Sequence, residues 1–246
     1  MLTIRDASFA YSKRRVLHSV TMQIERGRTC LLIGRNGSGK SSLLRLAAGL
    51  RAPTAGSVQW CEREISAIAP VLRAKSVAWV AQRSMLAIDV TARDVIELGA
   101  EHGAASISAD ALLEELALEP LAGRRFHELS GGEQQRCIVA RALRQHADAG
   151  LLVLDEPLAN LDPAEVVRVI GALRRRCKRG AVVIAAMHDL ALADEWADDV
   201  ALLDGGSLIA FGPAKRVLEP SVLASAFGCD FGVRSAALAV RLPRGA

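Results

Sequence analysis

The stretch from Thr29 to Gly49 constrains this chain more than any other. Thr29 to Ile33 reads as a short buried strand. Gly34-Arg35-Asn36-Gly37-Ser38-Gly39-Lys40-Ser41 follows at once and fits G-x-x-x-x-G-K-[ST]. Ser41 to Gly49 then carries apolar residues at helical spacing. Strand, glycine-rich turn and helix in direct succession open a βαβ unit, which commits the chain to an α/β fold. The glycines let backbone N–H groups turn inward around an anion, and the helix start aims its positive end at the same point. A polyphosphate fits that cradle: Lys40 is placed to reach β/γ-phosphates and the Ser41 hydroxyl to ligate Mg²⁺. Gly34, Asn36, Gly37, Ser38, Gly39 and Ser42 complete the candidate phosphate-binding set.

The rest of the chain supports a sheet around that unit. Leu17 to Ile24 alternates in strand fashion near the N-terminus. Ser76 to Val80, Leu151 to Leu154, Ala181 to Ala186 and Val200 to Leu203 are continuous apolar runs of strand length, as parallel strands buried on both faces require. From Thr91 to Ala147 the periodicity is helical, with Ser108 as an N-cap and Leu112, Leu113 and Leu116 on one helix face. The expected organisation is one unit over 1–228, with a core at about 1–85 and 148–228 and a helical subdomain at about 86–147. A tail, 229–246, reads as a short strand pair or a partly ordered end.

Composition narrows the class. Half of the residues are apolar (51%) and only 4% aromatic, so the core is aliphatic. No window approaches the roughly 18 apolar residues of a membrane span. Met1 to Ala10 lacks the apolar region of a secretory signal, so the expectation is an intracellular chain. The five cysteines are scattered, with no C-x-x-C pair, which argues against disulfides and zinc; Cys30 and Cys137 read as buried thiols. The net charge of +4 is dispersed. Its one dense run, Arg174 to Arg176 with Lys178 and Arg179, ends a predicted helix and complements its dipole, so nucleic acid is not an expected partner.

Two further motifs carry chemistry. Leu151-Leu152-Val153-Leu154-Asp155-Glu156 is an apolar strand ending in two carboxylates. Such a strand can hold Asp155 beside Mg²⁺, with Glu156 able to orient and deprotonate a water attacking a γ-phosphate. Leu129-Ser130-Gly131-Gly132-Glu133-Gln134-Gln135-Arg136 lies between the phosphate loop and that strand. Ser130 and the N–H groups after Gly131 can open a helix that ends on a phosphate.

With that third motif in its place, the chain resembles the ABC transporter ATPases over about Leu2 to Gly228. The resemblance implies a P-loop NTPase core with an N-terminal antiparallel β region and an inserted α-helical subdomain. It implies ATP and Mg²⁺ as ligands and hydrolysis as the activity. Tyr11 corresponds to the aromatic that stacks on adenine. Gln82, after the strand Val77 to Val80, matches the glutamine that contacts Mg²⁺ and the water. Asp162, in Ala159-Asn160-Leu161-Asp162, belongs to the loop that crosses between cassettes. His188 matches the histidine that contacts the γ-phosphate. Ser130 and Gly132 are then given to the ATP held by a second copy.

The implied partners are that second subunit, transmembrane permease subunits, and a solute-binding protein acting through the permease. The implied location is the cytoplasmic face of the membrane. Arg35 and Ala81 depart from the proline common at their positions, and neither change removes a catalytic group. Arg73 to Gln82, Val90 to Gly99, Phe211-Gly212-Pro213 with Val217-Leu218, and Phe227-Gly228 are similar to importers of iron-siderophores, haem and cobalamin. Another small-solute importer or exporter, or a non-transport ABC ATPase, remains the alternative at this point.

Overall fold

The computed structural model describes residues 1–82, 89–101, 107–145 and 149–228. The chain runs through β1 (Leu2–Tyr11), β2 (Arg14–Ile24), β3 (Thr29–Ile33), α1 (Lys40–Ala47), β4 (Ala55–Trp60), β5 (Arg63–Glu64), α2 (Pro70–Ala74) and β6 (Val77–Val80). After these come α3 (Ala92–Glu97), α4 (Ala109–Glu115), α5 (Gly131–Gln145), β7 (Leu151–Asp155), α6 (Pro163–Lys178) and β8 (Val182–Ala186). It ends with α7 (Leu190–Trp196), β9 (Asp199–Asp204), β10 (Ser207–Pro213), α8 (Ala214–Val217) and α9 (Pro220–Phe227).

Two sheets result. One has the order β2-β1-β4-β5 and is antiparallel; the other has the order β10-β9-β3-β8-β7-β6. In the second, β9, β3, β8, β7 and β6 pair parallel and β10 closes one edge antiparallel. The apolar runs explain the parallel set. Cys30 and Leu32 of β3, Leu151 and Val153 of β7, and Val182 and Ile184 of β8 face α1 and the antiparallel sheet. Their alternates, Leu31 and Ile33, Leu152 and Leu154, Val183 and Ala185, face α5, α6 and the helices around them. A strand buried on both faces must be apolar at every position.

The alternation of β1 is broken. Asp6 in β1 and Ser19 in β2 both have φ of 47°, and the β1–β2 register shifts between Ile4 and Ala7 and again before Phe9. Such bulges throw the side-chain pattern out of period two.

The helical region packs through α5, which contacts α3, α4 and β6. Ser108 caps α4 through its hydroxyl, which accepts from Ala111 N–H at 3.1 Å. Leu112, Leu113 and Leu116 are buried together, as their spacing predicts. The expected borders of this region near 86 and 147, and the tail from 229, lie outside the described residues. The arginine run at the end of α6 has specific partners besides the dipole. Arg175 pairs with Glu115 of α4 at 2.8 Å, and buried Arg176 reaches the same carboxylate at 3.4 Å. Cys30 and Cys137 are buried free thiols; burial pushes Cys137 up to about 12.

Candidate active site

The phosphate loop is shaped by contacts that leave no room for side chains. Gly34 has φ of 145°, and a Cβ there would lie 2.1 Å from the Leu203 carbonyl oxygen. Gly39 has φ of 103°, and its Cβ would lie 2.7 Å from Leu17 Cδ2. Only glycine accepts such a backbone next to such neighbours. α1 starts at the next residue, so Lys40 and Ser41 stand on its first turn.

Lys40 is buried. Its ammonium donates to the loop's own carbonyls, Gly34 O at 2.8 Å and Arg35 O at 3.0 Å. Burial lowers its pKa, and the charges of Glu156 and Asp155 act against that fall. Asp155 ends β7 with its carboxyl buried. Burial raises its pKa, a hydrogen bond with the Ser41 side chain opposes this, and the neighbouring Glu156 charge adds to the rise. A serine hydroxyl and a buried carboxylate in contact form an all-oxygen set that suits a hard divalent cation such as Mg²⁺. The Ser38 hydroxyl, also in this loop, is buried with no partner among the described residues.

Glu156 follows at the strand's end with φ of 52°, a left-handed turn that costs a non-glycine residue about 1–2 kcal/mol. The turn aims its carboxylate at two side chains from other strands. Gln82, just beyond β6, donates from Nε2 to Glu156 Oε2 at 3.0 Å. His188, just beyond β8, meets Glu156 Oε1 through Nε2 at 2.5 Å. Asn36, Gly37, Gly39, Lys40, Ser41, Ser42, Gln82, Glu156 and His188 line a single open cleft of about 530 Å³, together with Val16.

Tyr11, Ser130, Gly132 and Asp162 are not among the described residues lining that cleft. Tyr11, at the end of β1, is exposed, packs edge-on to Phe9 and accepts from Arg45 Nη1 at 3.0 Å. Burial raises its pKa, but hydrogen bonds with Arg45 and Ser42 outweigh this and lower it. Ser130 caps α5 reciprocally: its N–H donates to Glu133 Oε2 at 2.7 Å, and its hydroxyl accepts from Glu133 N–H at 3.3 Å. The cap takes up the N–H of Glu133, leaving those of Gly131 and Gly132 without a partner inside the helix. Asp162 caps α6 in the same manner with Glu165, at 2.8 Å and 3.1 Å, and Pro163 takes the first helical position.

Arg136 and Glu165 were not assigned a role on sequence, and they tie these two helix starts together. Arg136 Nη2 pairs with Glu165 Oε1 at 2.7 Å. Its Nη1 donates to Leu116 O at 2.7 Å and Ala117 O at 2.9 Å, the carbonyls just past the end of α4. A Cβ on Gly132 would lie 2.6 Å from Asn160 O and 3.2 Å from Glu165 Oε2. The signal was readable: Asp162-Pro163-Ala164-Glu165 is a helix-capping pattern, and Arg136 follows Gly132 by four residues, on one helix face.

A family model described as ABC transporter matches residues 17–159. The hemin import ATP-binding protein HmuV of Rhodopseudomonas palustris strain BisB18 is 36% identical over 96% of this chain and 91% of its own length. The protein of the same name from Bordetella avium is 36% identical over 94% of each. Among solved structures, one described as the ATP binding subunit of an ABC transporter superposes with a TM-score of 0.78 at 25% identity, covering 93% of both chains.

Proposed function

The chain belongs to the ABC transporter family as one of its ATP-binding, ATP-hydrolysing subunits, and from that premise we propose that it powers import of haem or a related metal chelate. The names of the relatives that cover nearly its whole length support that substrate class. The similarity of Arg73 to Gln82 and Val90 to Gly99 to such importers points the same way.

The observation that carries the catalytic reading is the convergence of four chain segments on one cleft: Lys40 and Ser41, Gln82, Glu156, and His188. In this reading Lys40 exchanges Gly34 O and Arg35 O for β/γ-phosphate oxygens. The Asn36 to Ser42 backbone and hydroxyls cradle the phosphates. Ser41 and Asp155, with Gln82, would hold Mg²⁺, which when bound would neutralise charge on the phosphate oxygens. Glu156 takes a proton from the attacking water. Gln82 and His188 grip its two carboxylate oxygens from opposite strands and so fix its orientation. Tyr11 packs beside the adenine.

Ser130 and Gly132 stand on a separate helix start whose free N–H groups suit an anion. We assign them to the γ-phosphate held by a second copy, with Asp162 fixing the crossing loop. The partners are thus a second subunit, permease subunits and, through these, a solute-binding protein. We place the chain peripherally on the cytoplasmic face; among the described residues no helix is long and apolar enough to cross a membrane.

The test is Glu156→Gln, which keeps shape and hydrogen bonding but removes the base. Turnover should fall by roughly 10²–10⁴-fold with ATP binding retained, and ATP-held dimers should accumulate on size-exclusion chromatography. Unchanged turnover, with the protein monomeric at saturating ATP, would sink the assignment.

A further inference from the structure

We propose that Gly206, in the turn between β9 and β10, is a positioning residue that sets the Ser38–Gly39 peptide of the phosphate loop through its own main chain. The proposal rests on the reading of Gly34 to Ser41 as the ATP cradle.

Asp204 and Ser207 are register partners, so Gly205 and Gly206 form a two-residue turn. Their φ values are 50° and 84°, and positive φ at both positions is what the hairpin turn of the I′ kind needs. Gly206 is then used on both sides. Its N–H donates to Ser38 O at 3.1 Å, and its carbonyl accepts from His18 N–H at 2.9 Å. The residue thus bridges β2 of the antiparallel sheet and the phosphate loop.

The consequence follows from peptide planarity. In a trans peptide the C=O and the following N–H point in opposite directions. The Ser38 carbonyl is drawn toward Gly206, so the Gly39 N–H points away from the hairpin. Gly39 lines the cleft, and an N–H there is the donor a phosphate oxygen requires. The same hairpin braces the loop's other end, where Leu203 O would lie 2.1 Å from a Cβ on Gly34.

Space at the turn is asymmetric, which makes the idea testable. A Cβ on Gly206 would lie 2.3 Å from Val16 O and 2.8 Å from His18 Cδ2, whereas one on Gly205 would meet nothing within 4 Å. Gly206→Ala must therefore shift backbone at Val16, a cleft-lining residue, and pull the Gly206 N–H off Ser38 O. Gly205→Ala places the same residue type in the same turn, also at positive φ, without touching either.

The experiment measures binding of ADP and a non-hydrolysable ATP analogue, and thermal unfolding with and without nucleotide, for the full chain and both variants. Gly206→Ala should weaken nucleotide binding roughly tenfold or more, the effect of losing a hydrogen bond to a charged group. Its KM for ATP should rise while kcat at saturation is largely kept. A merely structural role would lower the ligand-free unfolding temperature and leave the nucleotide-induced rise intact; a positioning role shrinks that rise, because it depends on affinity. Gly205→Ala should keep the full rise. Affinity of Gly206→Ala within twofold of Gly205→Ala would overturn the proposal.

If Gly206→Ala does not fold, hydrogen exchange on the wild-type chain decides. Nucleotide should slow exchange at the Gly206 amide together with Gly39 and Lys40, and no change at Gly206 would overturn the proposal. A wild-type chain that binds no nucleotide would instead overturn the cradle itself, and this inference with it.

Discussion

Arg136→Ala should destabilise the ligand-free protein by about 4 kcal/mol, the loss expected on breaking a buried ion pair. The figure is built from the partners. The Arg136 side chain is 7% exposed and that of Glu165 20%, so water cannot readily replace the lost guanidinium. Removal strands the Glu165 carboxylate and uncovers Leu116 O and Ala117 O, which the arginine now satisfies. An abandoned buried acceptor costs about 1–3 kcal/mol, and the losses overlap because one side chain makes all the contacts. For a chain of this length the melting temperature should fall by about 10 °C.

Thermal and urea unfolding followed by circular dichroism give the first readout. A double-mutant cycle with Glu165→Gln, which keeps an acceptor for the Asp162 N–H, should show a coupling of about 1–3 kcal/mol. ATPase activity measured well below the variant's melting temperature should still be reduced, because Gly132 and Asp162 lose their common anchor. A cost under about 1 kcal/mol, well below the buried-pair range, or equal stability for Arg136→Lys and wild type, would refute the reasoning.

Two other perturbations test the cleft. Lys40→Ala should weaken nucleotide binding by roughly 10–100-fold, the worth of a charged hydrogen-bonding group; fluorescent-nucleotide titration checks this, and unchanged affinity would mean the loop is not the cradle. Asp155→Asn should abolish Mg²⁺-dependent hydrolysis and change the pH dependence of stability. Burial holds the Asp155 pKa above its ordinary value, so the folded state keeps a proton that the unfolded state has already lost. That stability is present below the ordinary carboxylate pKa and disappears as pH rises through the folded value. The ligand-free variant should therefore lose this slope and exceed wild type above the window. Parallel denaturant midpoints for the two proteins from pH 4 to 8 would rule this out.

The parallel sheet was legible in the sequence because burial on both faces leaves an unbroken apolar run, as at Leu151 to Leu154 and Ala181 to Ala186. The phosphate loop and the acidic strand end were legible because few residue types can do their chemistry. Of the antiparallel sheet, β2 was legible through the alternation of Leu17 to Ile24, but the bulge at Asp6 breaks the pattern of β1, and β5 is two residues long. The arginine run, Arg174 to Arg176 with Lys178 and Arg179, was read as complementing a helix dipole, and it does end α6; that buried Arg176 also pairs with Glu115, across 61 residues, had no local signal. Ser130 was read as an open anion site, and the structure adds that Glu133 closes half of its cap. Gly206 lay outside every motif, because its role depends on three backbone segments that meet only in the folded chain.

Lys40 gives the cleft a property of its own. By donating to Gly34 O and Arg35 O, its ammonium ties the start of the loop to its end. The curvature of the loop is thereby held by the loop's own groups. Nucleotide entry becomes an exchange, in which two neutral acceptors are given up for charged ones. The net affinity is then smaller than the gross attraction, which suits a motor that must release its spent product as readily as it takes up fuel.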